Sequence, residues 1–178
     1  MKDLKQFNIQ YIGLKEESHL FEYQIGKPFF DAFNFDEFFD ANITVALTLD
    51  KKSTLLDLSF KAKGTINVTC DISGEPFDQE IETELQLIVK FGEEYNDDNE
   101  EILILPYSEF QLNVAQYIYE MIVLSAPIKR VHPKILDGSM ESEALKKLEK
   151  LRVKEIKSTE NVDPRWDKLK SLITEKKT

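Results

Sequence analysis

Cys70, His19 and His132 are the residues of this 178-residue chain best suited to nucleophilic or metal chemistry. A catalytic thiol needs a base within hydrogen-bond reach, and nothing in the spacing of Cys70 and His132 joins them. A lone cysteine excludes an internal disulfide and a multi-cysteine zinc cluster, and two histidines make a poor imidazole metal site. Cys70, at the end of a strand pattern, reads as a packed thiol. G-x-S-x-G, H-E-x-x-H and a phosphate-cradling glycine loop are all missing. Asp97, Asn99 and Glu101 alternate as in a calcium loop, but the glycine that the EF-hand turn requires is absent. The stretch EEYNDDNEE, Glu93 to Glu101, therefore reads as a solvated acidic loop. Carboxylates on strand faces are no evidence of acid–base catalysis, and no aromatic-and-basic strand marks an RNA platform. The residues point to an interaction module without catalytic site, cofactor or metal.

Charge carries more information. The chain has 23 Lys/Arg, 33 Asp/Glu and a formal net charge of −10, which argues against broad phosphate binding by the whole molecule. Residues 1–127 hold 9 Lys/Arg and 24 Asp/Glu, a net of −15, whereas residues 128–178 hold 14 and 9, a net of +5. Such asymmetry points to one surface for cationic partners and another for anionic ones. The plainer reading is an acidic domain with a lysine-rich tail that aids solubility.

These groups sit on elements that periodicity predicts. The segments Leu4–Leu14 and Leu20–Ile25 alternate as two strands joined through Lys15–Ser18. KPFFDAFNFDEFFD follows, with Pro28 suited to the first turn of a short helix and its phenylalanines suited to plugging one end of a sheet. From Asn42 to Phe91 the pattern is a β-meander, with strands through Ile43–Leu49, Leu56–Phe60, Ile66–Val68 and Glu80–Phe91. One wet and one dry face predicts an antiparallel sheet covered on one side. Ile102–Leu105 is a short strand ended by Pro106. Ser108 and Gln111 fit a capping box for a helix over Ser108–Leu124, with Phe110, Val114, Tyr117, Ile118, Met121 and Ile122 as its apolar stripe. Met140–Ile156 reads as a helix with a seam of Leu145, Leu148 and Leu151. Asp163 and Pro164 suit the cap and first residue of a last helix carrying Trp166, Leu169 and Ile173.

Three segments in order, TCDISGEPFDQEI around Cys70, YEMIVLSAPIKRVHP, and DPRWDKLKSL, resemble the YceD-like family, the large ribosomal RNA subunit accumulation proteins. The resemblance runs from about Asn42 onward. Asp163, Pro164, Arg165 and Trp166, followed by Leu169 and Leu172, match the family's terminal motif. Glu120, Leu124 and Pro127 match the helix end before its variable connector, and Cys70 matches the first position of a C-x-x-C pair. Ser73 replaces the second cysteine, and the further cysteines of many relatives are absent, so a metal site proposed for relatives does not carry over. The resemblance implies a bacterial cytoplasmic protein, not an established enzyme, needed for accumulation or processing of large-subunit ribosomal RNA.

The expected fold is α+β: an antiparallel β-sheet meander with one packed amphipathic helix, and a helical C-terminal arm. Residues 1–127 form the acidic domain and 128–178 the basic arm. Lys146, Lys147, Lys150, Arg152 and Lys154 are the candidates for contact with RNA phosphates, while the acidic portion suits a basic ribosomal protein. Asp163, Pro164, Arg165, Trp166 and Leu169 form either a docked tail or a partner-binding element; Arg165 beside Trp166, a pairing interfaces favour, tips the reading toward binding. An adaptor unrelated to ribosomes is one rival, and an RNA-processing enzyme, for which no catalytic constellation is found, is the other. The opening MKDLKQFNIQ puts Asp3 and Lys5 where a signal peptide needs apolar residues, and no apolar run approaches roughly 18 residues, so neither export nor a membrane partner is expected.

Overall fold

A computed structural model of the protein describes residues 4–99, 101–139 and 143–151. Two-residue alternation builds its centre. In β3 (Asp40–Lys51) the side chains of Ile43, Val45, Leu47 and Leu49 are fully buried, while Asn42 and Thr44 face water. β4 (Leu55–Thr69) buries Leu56, Leu58, Phe60, Ile66 and Val68, so the two strands expected there are one. β5 (Pro76–Gly92) buries Phe77, Ile81, Leu87 and Val89 and exposes Glu80, Glu82 and Glu84. Each such apolar side chain withdrawn from water stabilises the fold by roughly 1.5–3 kcal/mol before ordering costs.

With β2 (Ser18–Gly26), β6 (Asn96–Asn99) and β7 (Ile102–Pro106), these strands form a six-stranded sheet in the order β2-β3-β4-β5-β7-β6. Every neighbouring pair is antiparallel except β5 and β7, which run parallel. After β5 the chain turns back along the edge as β6, then returns as β7 between β6 and β5. Asn96–Asn99, expected inside a loop, therefore becomes a short acidic edge strand with an irregular register, a composition that discourages further pairing.

The dry face is closed by helices and by the chain's beginning. α1 (Lys27–Ala32) starts with Pro28 in its first turn, as expected. Phe29, Phe30 and Phe38 are buried, and Phe30 meets Phe38 edge-on with ring centres 5.1 Å apart. α2 (Ala115–Ser125) buries Ile118, Met121 and Ile122, and its Tyr119 stacks on Phe33 at 4.3 Å. The aromatic cluster thus joins α1 to α2 as core.

Two further local expectations fail. Leu4–Leu14 is not a strand: Leu4–Phe7 is a 3-10 turn, and only β1 (Asn8–Ile9) pairs, with β8 (Leu112–Asn113). Beyond it the carbonyls of Tyr11, Ile12 and Leu14 turn to the Lys51 ammonium, at 2.9, 3.2 and 2.7 Å. The helix expected from Ser108 begins at Ala115, because Leu112 and Asn113 are taken by β8. Phe110 lies off the helix and is exposed, and Asn113 Oδ1, rather than Ser108, accepts the Ala115 N–H at 2.9 Å.

α3 (Pro133–Leu136) and α4 (Glu143–Leu151) complete the described elements. The chain divides into two units, Met1–Met140 and Glu141–Thr178. Among the described residues no helix is long and apolar enough to cross a membrane.

Candidate interaction surfaces

Lys146, Lys147 and Lys150 lie on α4, all exposed. At 100° per residue they fall within an arc of about 100°, so one helix face carries three ammonium groups. Leu145 is half-buried, while Leu148 and Leu151 of the same seam are exposed. Arg152 and Lys154, the rest of the Met140–Ile156 helix, and Asp163, Pro164, Arg165, Trp166 and Leu169 lie outside the described residues.

Cys70 and His132 are brought together, but not as nucleophile and base. Cys70 follows β4 in a tight turn in which its carbonyl accepts the Gly74 N–H at 2.9 Å. Gly74 takes a positive φ of 74° there, a conformation glycine adopts without steric cost. The buried sulfur accepts the backbone N–H of His132 at 3.3 Å. The imidazole itself is engaged elsewhere: Nδ1 accepts the Lys134 N–H at 3.0 Å, capping α3, and the ring packs on Phe77. Burial pushes the Cys70 thiol up, but hydrogen bonds from the Ser73 hydroxyl and from the backbone of His132, Ser73 and Ile72 outweigh it and bring the thiol down to about 7. Asp71 completes the latch. Its N–H donates to the Arg130 carbonyl at 2.8 Å, its carboxylate accepts the Arg130 N–H at 2.7 Å, and the Arg130 guanidinium reaches Glu37 at 2.8 Å. This site fastens the segment Arg130–His132 to the sheet. Among the described residues no three His, Cys, Asp or Glu side chains gather as a metal site.

A groove that the sequence did not reveal lies between α2 and the β5–β7–β6 side of the sheet. It encloses a cavity of about 460 Å³, with Leu85, Met121 and Leu124 among its apolar lining and Glu84, Asp97 and Glu120 among its acids. Leu124 is 83% exposed. The Tyr117 hydroxyl hydrogen-bonds to Tyr95, and the Tyr95 hydroxyl donates to Asp97 at 2.9 Å, tying α2 to β6. Burial, then the neighbouring Tyr95, pushes the Tyr117 phenol well above its ordinary value, so it remains a neutral donor. The signal was hidden because the groove joins residues from four elements. Its α2 end, with Glu120, Met121, Leu124 and Ser125, falls in the YEMIVLSAPIKRVHP segment, but that segment does not point to the β5, β6 and β7 residues opposite.

A family model described as the large ribosomal RNA subunit accumulation protein YceD matches residues 58–173. No curated protein and no solved structure matches the chain. The matched span begins in β4, includes the Cys70 turn, the groove and α4, and reaches past the Asp163–Leu169 motif.

Proposed function

The chain belongs to the YceD family of large ribosomal RNA subunit accumulation proteins, and from that premise we propose that it is a non-catalytic cytoplasmic factor supporting accumulation or processing of that RNA by binding ribosomal components. The observation that carries the reading is the uneven charge of its two units. Met1–Met140 holds 12 Lys/Arg against 25 Asp/Glu, a net of −13, and Glu141–Thr178 holds 11 against 8, a net of +3. The acidic sheet unit attracts a basic ribosomal protein. Lys146, Lys147, Lys150, Arg152 and Lys154 of the basic arm meet RNA phosphates, and Asp163, Pro164, Arg165, Trp166 and Leu169 form a partner-binding element. Charge complementarity of this kind sets encounter rate and partner choice, and weakens as salt screens it.

The test is affinity purification of the tagged full chain from growing cells at low and high salt, recovering protein and RNA together. Ribosomal protein or large-subunit RNA retained at low salt and shed at high salt is the expected result. Recovery of neither, or only of partners outside the translation machinery, overturns the reading.

A further inference from the structure

We propose that the groove beside α2 receives an extended lysine- or arginine-rich segment of a protein partner, which adds a strand to the open edge of β5 at Thr83–Leu87. This deepens the reading above, on which it rests, by naming the acidic unit's binding site and the form of its basic cargo.

The open edge follows from the pairing. β4 accompanies β5 from Pro76 to Lys90, but on the other side β7 pairs only from Ile88 to Gly92. Among the described residues no strand pairs with that other side between Pro76 and Leu87. Every second residue of a strand directs its N–H and C=O to a given side, so this length of backbone offers a template for one more strand. Consecutive residues Thr83, Glu84 and Leu85 all line the groove. Neighbours on a strand point to opposite faces, so a groove lined by all three borders the strand's side as well as one face.

The chemistry of the walls selects the occupant. Glu84, Asp97 and Glu120 are exposed, and among the described residues no lysine or arginine lines the groove. Lys61 stands opposite Glu84 on β4 and offsets one of these charges, while Asp97 and Glu120 lie on β6 and α2. Leu85, Met121 and Leu124 supply the apolar contacts. An added strand alternates its side chains, so basic residues can meet the acids while apolar ones rest on these three; backbone pairing gives affinity and the pockets give selectivity. A helix would leave the β5 backbone groups unpaired.

A fluorescent peptide of about 12 residues alternating lysine with valine serves as the probe for the full-length protein. Two controls go with it: the same peptide N-methylated at alternate residues, and a version with glutamate for lysine. We expect binding that weakens at least tenfold for each control and for the exposed double variant Glu84→Lys/Glu120→Lys, with the amides of Glu84 and Gln86, which face the open side as Ile88 does toward Glu101, slowed in hydrogen exchange when the probe is bound. Absence of binding, equal binding of the N-methylated probe or by the double variant, or protection confined to another strand overturns the proposal. The two readings fail separately. If the double variant recovers as much basic ribosomal protein as the wild type from nuclease-treated lysate, this site is wrong and the proposed function stands. If the wild-type protein recovers none while the probe binds as expected, the site stands and the function does not.

Discussion

At Cys70 a sulfur in an apolar pocket receives enough hydrogen bonds to favour its ionised form. The folded thiol near 7 lies below its ordinary value of 9.0, so the linked stability is fully present above pH 9, fades as pH falls and is gone below pH 7. The stability difference between wild type and Cys70→Ser, by urea unfolding, is expected to grow by on the order of 1–2 kcal/mol from pH 6.5 to 9. A flat difference would mean that the thiol stays protonated. The position of Gly64 is a matter of space instead. A Cβ there would come within 2.1 Å of the Asn42 carbonyl oxygen and 2.6 Å of the Ile43 Cα. Both are backbone of the neighbouring strand and cannot rotate away. Gly64→Ala is expected to cost roughly 2–4 kcal/mol, read as a lowered Tm; unchanged melting would show that β3 and β4 can part without penalty.

At the scale of elements, legibility follows how local the cause is. The β3, β4 and β5 alternation was readable because each strand is buried on one face, so its own sequence states its orientation. Pro28 marked α1 for the same reason. The parallel pairing of β5 with β7 depends on the path through β6 and leaves no local mark. The start of α2 depends on β1, whose Asn8 and Ile9 pair with Asn113 and Leu112 across the whole sheet unit. Ser108 and Gln111 have capping-box spacing, but the chain between them serves as a loop. Asn113 does the work Ser108 was assigned: it accepts from Ala115, and its amide donates to the Leu4 carbonyl at 3.2 Å and to Asn8. Asn113→Ala is therefore expected to cost about 1–2 kcal/mol, and Ser108→Ala less than about 0.5, in paired denaturant titrations. Equal effects would return the helix start to Ser108. The groove was illegible for the reason that hid α2: its acids and leucines come from β5, β6, β7 and α2, and only the pairing of strands collects them.

For the whole molecule, the question is whether the two units bind different ligands. A net charge of −10 hides a unit at −13 and another at +3, and α4 of the second presents a face with three ammonium groups. If that face meets RNA, each contact releases counterions, and the logarithm of affinity falls with the logarithm of salt by roughly 0.7 per single-stranded phosphate neutralised. Full-length Lys146→Glu/Lys147→Glu/Lys150→Glu is then expected to bind a large-subunit RNA fragment more weakly, with a salt slope shallower by about 2 in filter binding. All three side chains are exposed, so melting should be nearly unchanged, and the acidic groove should still bind the lysine–valine probe. An unchanged slope would remove α4 from the RNA contact, whereas loss of RNA and of probe together would show that the two surfaces act as one.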